Sequence, residues 1–350
     1  MSKIAHFIYR LYQGILFLGF MSCVMLTSSI SKADHPDNKF QGSQDKPYHI
    51  VATTTQIGDL LKNIVGNRAT VTSILGPQID PHLYRLTRTD IALLLNADMI
   101  VYNGLFLEGK MEVVFDRLIS QNEKPIYAIG DLISPSYLLH PDNQSFNQYD
   151  PHIWNNVLLW REATLKLADK LCTYDPKGCS IYTKNAKTYA QTLNELHHYL
   201  TQIVKTIPKD NRILITAHDA FNYLGHSYGI EVIGLQGIST DSETGLNHIN
   251  QLVSLIIDKK IKAIFIETSI SDRSIKALIE GVQSTGHPLK IGGSLYSDAM
   301  GPSDSPVGTY IGMMEHNMST IVTALGGYVP SAGFSKTRLA KSTSKSLQQK

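Results

Sequence analysis

Residues 181–207 read IYTKNAKTYAQTLNELHHYLTQIVKTI. The apolar residues Tyr182, Ala186, Tyr189, Leu193, Leu196, Leu200 and Ile203 follow one another at steps of four and three, a single stripe along one long helix. Pro208, which has no amide proton to continue the ladder, closes it. On both sides of this helix the pattern changes to short β-branched runs separated by helical ones. Strands are predicted at 48–55, 69–75, 99–102 and 125–129, with helices at 57–64, 89–96, 107–120 and 155–171; Thr89-Asp90 marks a helix start. Beyond the long helix, strands at 212–217, 231–235, 263–267 and 289–292 alternate with helices at 219–228, 247–258, 273–283 and 309–325. Such alternation predicts an α/β protein with two lobes of mainly parallel sheet flanked by helices, joined by one long rigid interlobe helix. The expected lobes are 48–180 and 208–328, with 181–207 between them.

The ends of the chain read differently. Lys3 and Arg10 precede an uncharged run, Gly14 to Thr27, and Ser31-Lys32-Ala33 offers a small-residue cleavage site before Asp34. Residues 1–33 are therefore expected to be a signal peptide, and the protein to be periplasmic or otherwise extracytoplasmic. An uncleaved signal anchor is the alternative. Cys23, in Phe20-Met21-Ser22-Cys23, only loosely resembles a lipoprotein cleavage box, so a lipid anchor there ranks behind cleavage after Ala33. Residues 34–47 are polar and turn-rich and are expected to be a disordered leader. Residues 329–350, basic and poor in apolar groups, are expected to be a disordered tail. Cys172 and Cys179 bracket a polar turn, and in an exported chain they are expected to form a disulfide.

Composition excludes some functions. A net charge of +2 over 350 residues, with signs interspersed, gives no basic stripe for nucleic acid. Phosphate-cradling glycine loops and a His-Glu-x-x-His helix are both absent.

The chemistry-bearing residues lie after strands. Asp80-Pro81-His82 and Asp150-Pro151-His152-Ile153-Trp154 repeat a trio in which proline stiffens the loop that carries a histidine. Imidazole is the commonest protein ligand for a transition metal. His218 ends the apolar strand Ile213-Leu214-Ile215-Thr216-Ala217, and Asp298 follows a strand and the pair Gly292-Gly293. In open parallel sheets ligands gather at the carboxyl ends of strands. The other histidines lie in the signal segment, at the opening of the first strand (His49, the end opposite to where ligands gather), in loops without the Asp-Pro frame, or within helices. Three imidazoles and one carboxylate, two from each lobe, suit a first-row divalent ion. A turn or helix-capping role for Asp298 is the alternative.

These motifs carry a resemblance. From about residue 48 to 328 the chain resembles the zinc/manganese-type solute-binding proteins of ABC transporters, on several segments in order. They are Val51–Asp59, Gly76–Tyr84, Asn96-Ala97-Asp98, Asn103-Gly104-Leu105 with Glu108, and Asp150–Trp154. In the second half they are Thr216–Leu224, Phe265–Thr268 and Leu295–Gly301. The resemblance implies a two-lobed, non-enzymatic binding protein that captures a metal with His82, His152, His218 and Asp298. It also implies delivery to a membrane permease served by a cytoplasmic ATPase, with the protein expected to be a monomer. Members differ at the third ligand, histidine or glutamate; this chain has His218. Zinc-dedicated members often carry a His/Asp-rich loop before the second ligand, whereas Leu138–Tyr149 holds a single histidine, His140, which shifts the expectation towards manganese or both ions, with iron(II) also compatible. Asp219 and Glu267 are candidates for orienting the imidazoles. Affinity is expected to fall below about pH 6.5, where histidines protonate. A zinc-dependent hydrolase and a metal-binding surface adhesin remain as alternatives.

Overall fold

The computed structural model describes residues 47–141, 148–241 and 245–338. The expected signal peptide, the cleavage site, Cys23, most of the leader and the last twelve tail residues lie outside them. These described residues form one compact unit. Among the described residues no helix is long and apolar enough to cross a membrane.

The first sheet has strands β1 (Tyr48–Ala52), β2 (Ala69–Ser73), β3 (Met99–Tyr102) and β4 (Ile126–Ala128), all parallel and ordered β2-β1-β3-β4. Helices α1 (Thr55–Val65), α2 (Arg88–Asn96) and α3 (Glu112–Gln121) connect them. β1 and β3 are apolar on both faces because helices cover both, as parallel sheets require. The second lobe contains the parallel pairs β5 (Ile213–His218) with β6 (Glu231–Gln236) and β7 (Ala263–Glu267) with β8 (Lys290–Leu295). β5 and β7 lie side by side where the two pairs meet.

Between the lobes run α4 (Val157–Tyr174) and α5 (Cys179–Val204), packed against each other. α5 is the long helix expected from the stripe, and its 26 residues span roughly 39 Å at 1.5 Å per residue. Its buried face is Tyr182, Ala186, Tyr189, Leu193, Leu196, Leu200 and Ile203, the stripe itself. α5 packs on α1 of the first lobe, on α6 (Asn222–Tyr228) and on α9 (Tyr310–Ala324) of the second. One apolar core therefore runs through both lobes along α5, while α7 (Leu246–Asp258) and α8 (Arg273–Gln283) close a smaller core over β5 to β8. The turn between α4 and α5 is pinned by the Cys172–Cys179 disulfide and by Arg68, whose guanidinium grips the buried Asp175 through Nε and Nη2.

Two local expectations are corrected. The second helix is capped by Thr87, not Thr89: the Thr87 hydroxyl accepts from Asp90 N–H while the Asp90 carboxylate accepts from Thr87 N–H, a reciprocal capping box. The tail is ordered at its start. Phe334 is buried against Tyr199, its amide donates to Glu315, and Arg338 pairs with Glu195. One aromatic anchor and two ion-bonding partners on neighbouring helices are enough to hold residues 333–338 in a helical turn despite the polar composition.

Candidate metal centre

All four side chains singled out in the sequence sit at carboxyl ends of strands, and the fold brings them together. His82 follows β2, His152 follows β4, His218 is the last residue of β5, and Asp298 lies just past β8. Each offers one ligand atom, and the four atoms lie within 4.8 Å of one another. His82 Nε2 is 3.3 Å from His152 Nε2, His152 Nε2 is 3.5 Å from Asp298 Oδ1, and His218 Nε2 is 3.3 Å from Asp298 Oδ2. Tetrahedral ligands at 2.0–2.1 Å from a zinc-sized ion stand about 3.3–3.4 Å apart, so these separations fit a common ion with little adjustment. Exposure is 4% for His82, 1% for Asp298 and 0% for the other two. His218 Nε2 and Asp298 Oδ1 are buried without a hydrogen-bond partner, an arrangement that is costly unless something else occupies them.

The loops are stiff for a definable reason. In each Asp-Pro-His trio the aspartate Oδ1 accepts the histidine N–H two residues on, at 2.8 Å for Asp80–His82 and 2.9 Å for Asp150–His152. That is an Asx turn with proline at its centre. Asp150 Oδ1 also meets His152 Nδ1 at 2.8 Å, which leaves Nε2 free to point into the site. On the other lobe Glu267, at the end of β7, accepts His218 N–H at 2.9 Å and stands 2.6 Å from His218 Nδ1. The second contact is close but off the hydrogen-bonding direction, and we read it as an ion pair. The carboxylate of Asp219, the other candidate orienting group, forms no hydrogen bond with a ligand imidazole and meets His152 and His218 only as a nearby charge; its amide donates to Gly237 O. Asp150 takes that role instead.

Below the site the lobes are stitched together. Trp154 Nε1 donates to Ser297 O, Tyr310 Oη donates to Trp154 O, and Asn155 Nδ2 donates to Ala220 O. Asn103, at the end of β3, donates its Nδ2 to Pro151 O. Glu108 accepts from Thr53 Oγ1 and Asn103 N, both at 2.7 Å, and from Gly104 N at 3.1 Å. These two residues brace the second trio's loop from beneath. Burial raises the Glu108 carboxyl to about 7 even with three donors around it. Past this brace, Gly104, Leu105 and Phe106 have φ of 74°, 55° and 69°. Two of the three carry a Cβ in a region that disfavours it, and such strain clusters at binding sites.

Protonation divides the ligands. Burial, partly offset by Asp298 and reinforced by the neighbouring imidazoles, pushes His82 down to about 3, so it is neutral and ready to bind. For His218 burial acts downward, but the Glu267 and Asp298 carboxylates outweigh it and hold the imidazole well above its ordinary value. Burial would raise Asp298, yet His218, His152 and His82 hold it well below the usual carboxylate range. Without a metal, the two carboxylates would favour a proton on His218 between them, and a dication would take its place.

The other described histidines stay apart: His287 lies 2.6 Å from Ile261 O, His316 bonds Ser294 O, and His197 bonds Tyr228 Oη.

Residues 50–324 match the family described as zinc-uptake complex component A, periplasmic. The chain is 42% identical to the manganese-binding lipoprotein MntA of Bacillus subtilis over 81% of its own length and 91% of that protein's. It is 38% identical to the zinc-binding protein TroA of Treponema pallidum, over 87% of this chain and 97% of that one. The solved structure of periplasmic TroA from Treponema pallidum superposes with a TM-score of 0.77 at 40% identity, covering 80% of this chain and 99% of the other.

Proposed function

This chain belongs to the family of periplasmic zinc-uptake complex A components, and from that premise we propose that it is the extracytoplasmic substrate-binding component of a metal ABC importer. It captures one divalent transition-metal ion between its lobes and hands it to a membrane permease driven by a cytoplasmic ATPase. It makes and breaks no covalent bond; it is a binding protein and not an enzyme. The observation that carries this reading is the convergence of His82, His152, His218 and Asp298, buried and mutually spaced as ligands of one ion. A zinc hydrolase needs a position open to water and a base beside it, and four buried protein ligands supply neither.

The cargo is manganese or zinc, with the balance towards manganese and iron(II) compatible. Asp298 turns one oxygen towards His152 and the other towards His218. A carboxylate gripping with both oxygens makes five donors, more than zinc prefers in closed sites, whereas manganese accepts higher coordination. MntA is manganese-binding and TroA zinc-binding by name. The protein acts as an exported monomer. MntA is a lipoprotein by name and TroA periplasmic; cleavage after Ala33 leaves Asp34 at the mature N-terminus, and an intact mass matching a lipidated Cys23 would overturn that.

Elemental analysis of chain purified from its exported location tests the function. Wild type should carry close to one equivalent of manganese plus zinc. Asp298→Ala should bind at least about a hundredfold more weakly, beyond the tenfold to hundredfold cost of losing an outer partner. Wild-type chain that takes up neither ion would sink the reading.

A further inference from the structure

One segment of the second lobe reaches over the site without contributing a ligand. Gly237–Asp241 leaves the carboxyl end of β6 and forms part of a cavity of about 190 Å³ that opens beside His82, with Phe106, Tyr149, Ile238 and Asp241 in its wall. Two polar bonds tie this segment to the opposite lobe. Thr240 Oγ1 donates to Asp80 Oδ2 at 2.6 Å, and Lys110 Nζ donates to Asp241 Oδ2 at 2.7 Å. Thr240 is 9% exposed and Asp80 half-buried, so their bond is partly shielded from water. The Lys110–Asp241 pair is open, at 31% and 55% exposure of the two side chains.

Asp80 is where the two lobes' loops are joined. Its Oδ1 holds the amide of His82 and its Oδ2 holds Thr240. One carboxylate therefore couples the stiff loop of a first-lobe ligand to a second-lobe loop. The ligand set is complete without Thr240, Asp241 or Lys110, so these bonds are not needed to build the coordination sphere. They must break for Gly237–Asp241 to lift from the first lobe on the side where His82 faces the cavity. A cavity of that size has space for several waters, room for a departing ion to regain a hydration shell.

We propose that Gly237–Asp241 is a cross-lobe clasp, and that the Thr240–Asp80 and Lys110–Asp241 bonds set how slowly a bound ion leaves while adding nothing to its coordination. Thr240 and Lys110 are positioning residues acting through Asp80 and Asp241. The clasp rests on the metal-binding reading above, because only a captured ion gives it something to retain. The two bonds carry unequal weight. A partly shielded hydrogen bond to a carboxylate is worth about tenfold or more in an equilibrium, whereas an exposed ion pair is worth up to about fivefold and fades in salt.

The test loads wild type, Thr240→Val, Thr240→Ser, Lys110→Met and Lys110→Arg with Mn2+ and follows release into excess chelator by stopped flow, at low and high salt. The same proteins loaded with Co2+ report ligand geometry through their visible absorption. Thr240→Val should release Mn2+ about tenfold faster, and Lys110→Met up to about fivefold faster at low salt only. Thr240→Ser and Lys110→Arg should stay near the wild-type rate, and every Co2+ spectrum should match wild type. Wild-type release rates in both Thr240→Val and Lys110→Met overturn the clasp. Faster release with an altered Co2+ spectrum also overturns it, by assigning the effect to ligand geometry. Wild-type chain that retains no Mn2+ or Co2+ overturns the metal-binding reading itself.

Discussion

Replacing Glu267 by glutamine should change the number of protons released when the metal enters. His218 lies between two carboxylates, with Glu267 Oε2 2.6 Å from Nδ1 and Asp298 Oδ2 3.3 Å from Nε2. Burial lowers the imidazole, but the two negative charges outweigh it and hold His218 protonated above its ordinary range. A metal on Nε2 displaces one proton. Below the pKa of His218 each pH unit should therefore cost about tenfold in affinity, or ~1.4 kcal/mol. His82, held down to about 3, adds nothing near neutrality. The fall in affinity should accordingly begin above the pH of about 6.5 expected from an ordinary histidine.

Glu267→Gln removes one of the two charges, so affinity should level off at a lower pH and the proton count at pH 7.5 should drop below the wild-type value of about one. Affinity itself should fall about tenfold to a hundredfold, the usual cost of an outer partner. Titration calorimetry in two buffers of different ionisation enthalpy reads the count directly. A wild-type count of zero at pH 7.5, or equal counts in the two proteins, refutes the reasoning. The same charges bear on stability. The folded pKa of His218 is raised, so its stabilisation of the empty protein is full below the unfolded value and is lost as pH rises through the folded one. That of Asp298 is depressed, so its stabilisation is present above its unfolded value and is lost as pH falls through the folded one. Metal should therefore raise the melting temperature more at pH 8 than at pH 6.

Trp154→Ala should cost about 3–5 kcal/mol in denaturant unfolding, because the ring is 1% exposed and its Nε1 bonds Ser297 O across the lobes; a loss under ~1 kcal/mol would show the lobe contact to be slack. Cys172→Ser with Cys179→Ser should cost roughly 2–2.5 kcal/mol, the loop-closure value for so short a loop, while leaving metal affinity unchanged. A drop in affinity in that variant would show that the α4–α5 turn governs the site.

The features written in local chemistry were legible before any coordinates. The stripe on α5 predicted the helix that both lobes share, because a periodic apolar face has to be buried. The Asp-Pro-His trios announced stiff histidine loops, and the capacity of each aspartate to close an Asx turn on its histidine was present in the same three letters. His218 was visible as the polar end of an apolar strand. The pair Gly292-Gly293 before Asp298 marks a close approach of elements: a Cβ at the first would press on Phe265, and at the second would collide with Thr320 of α9.

What escaped was set by contacts between distant segments. Asp150 is the exception, since it orients the His152 imidazole from only two residues away, within the Asp-Pro-His trio itself. Asn103 under Pro151, and Thr240 on Asp80, join residues whose meeting depends on the packing of whole elements. The ordered start of the tail depends on one buried ring, Phe334, in a stretch whose composition argues for disorder.

The most direct test of the metal centre is a crystal of the metal-loaded protein measured on both sides of the manganese and zinc absorption edges. One anomalous peak is expected, within about 2.0–2.3 Å of His82 Nε2, His152 Nε2, His218 Nε2 and an Asp298 oxygen. A loaded crystal with its ion elsewhere, or with any of the four outside ligand distance, would contradict the assignment of this cleft.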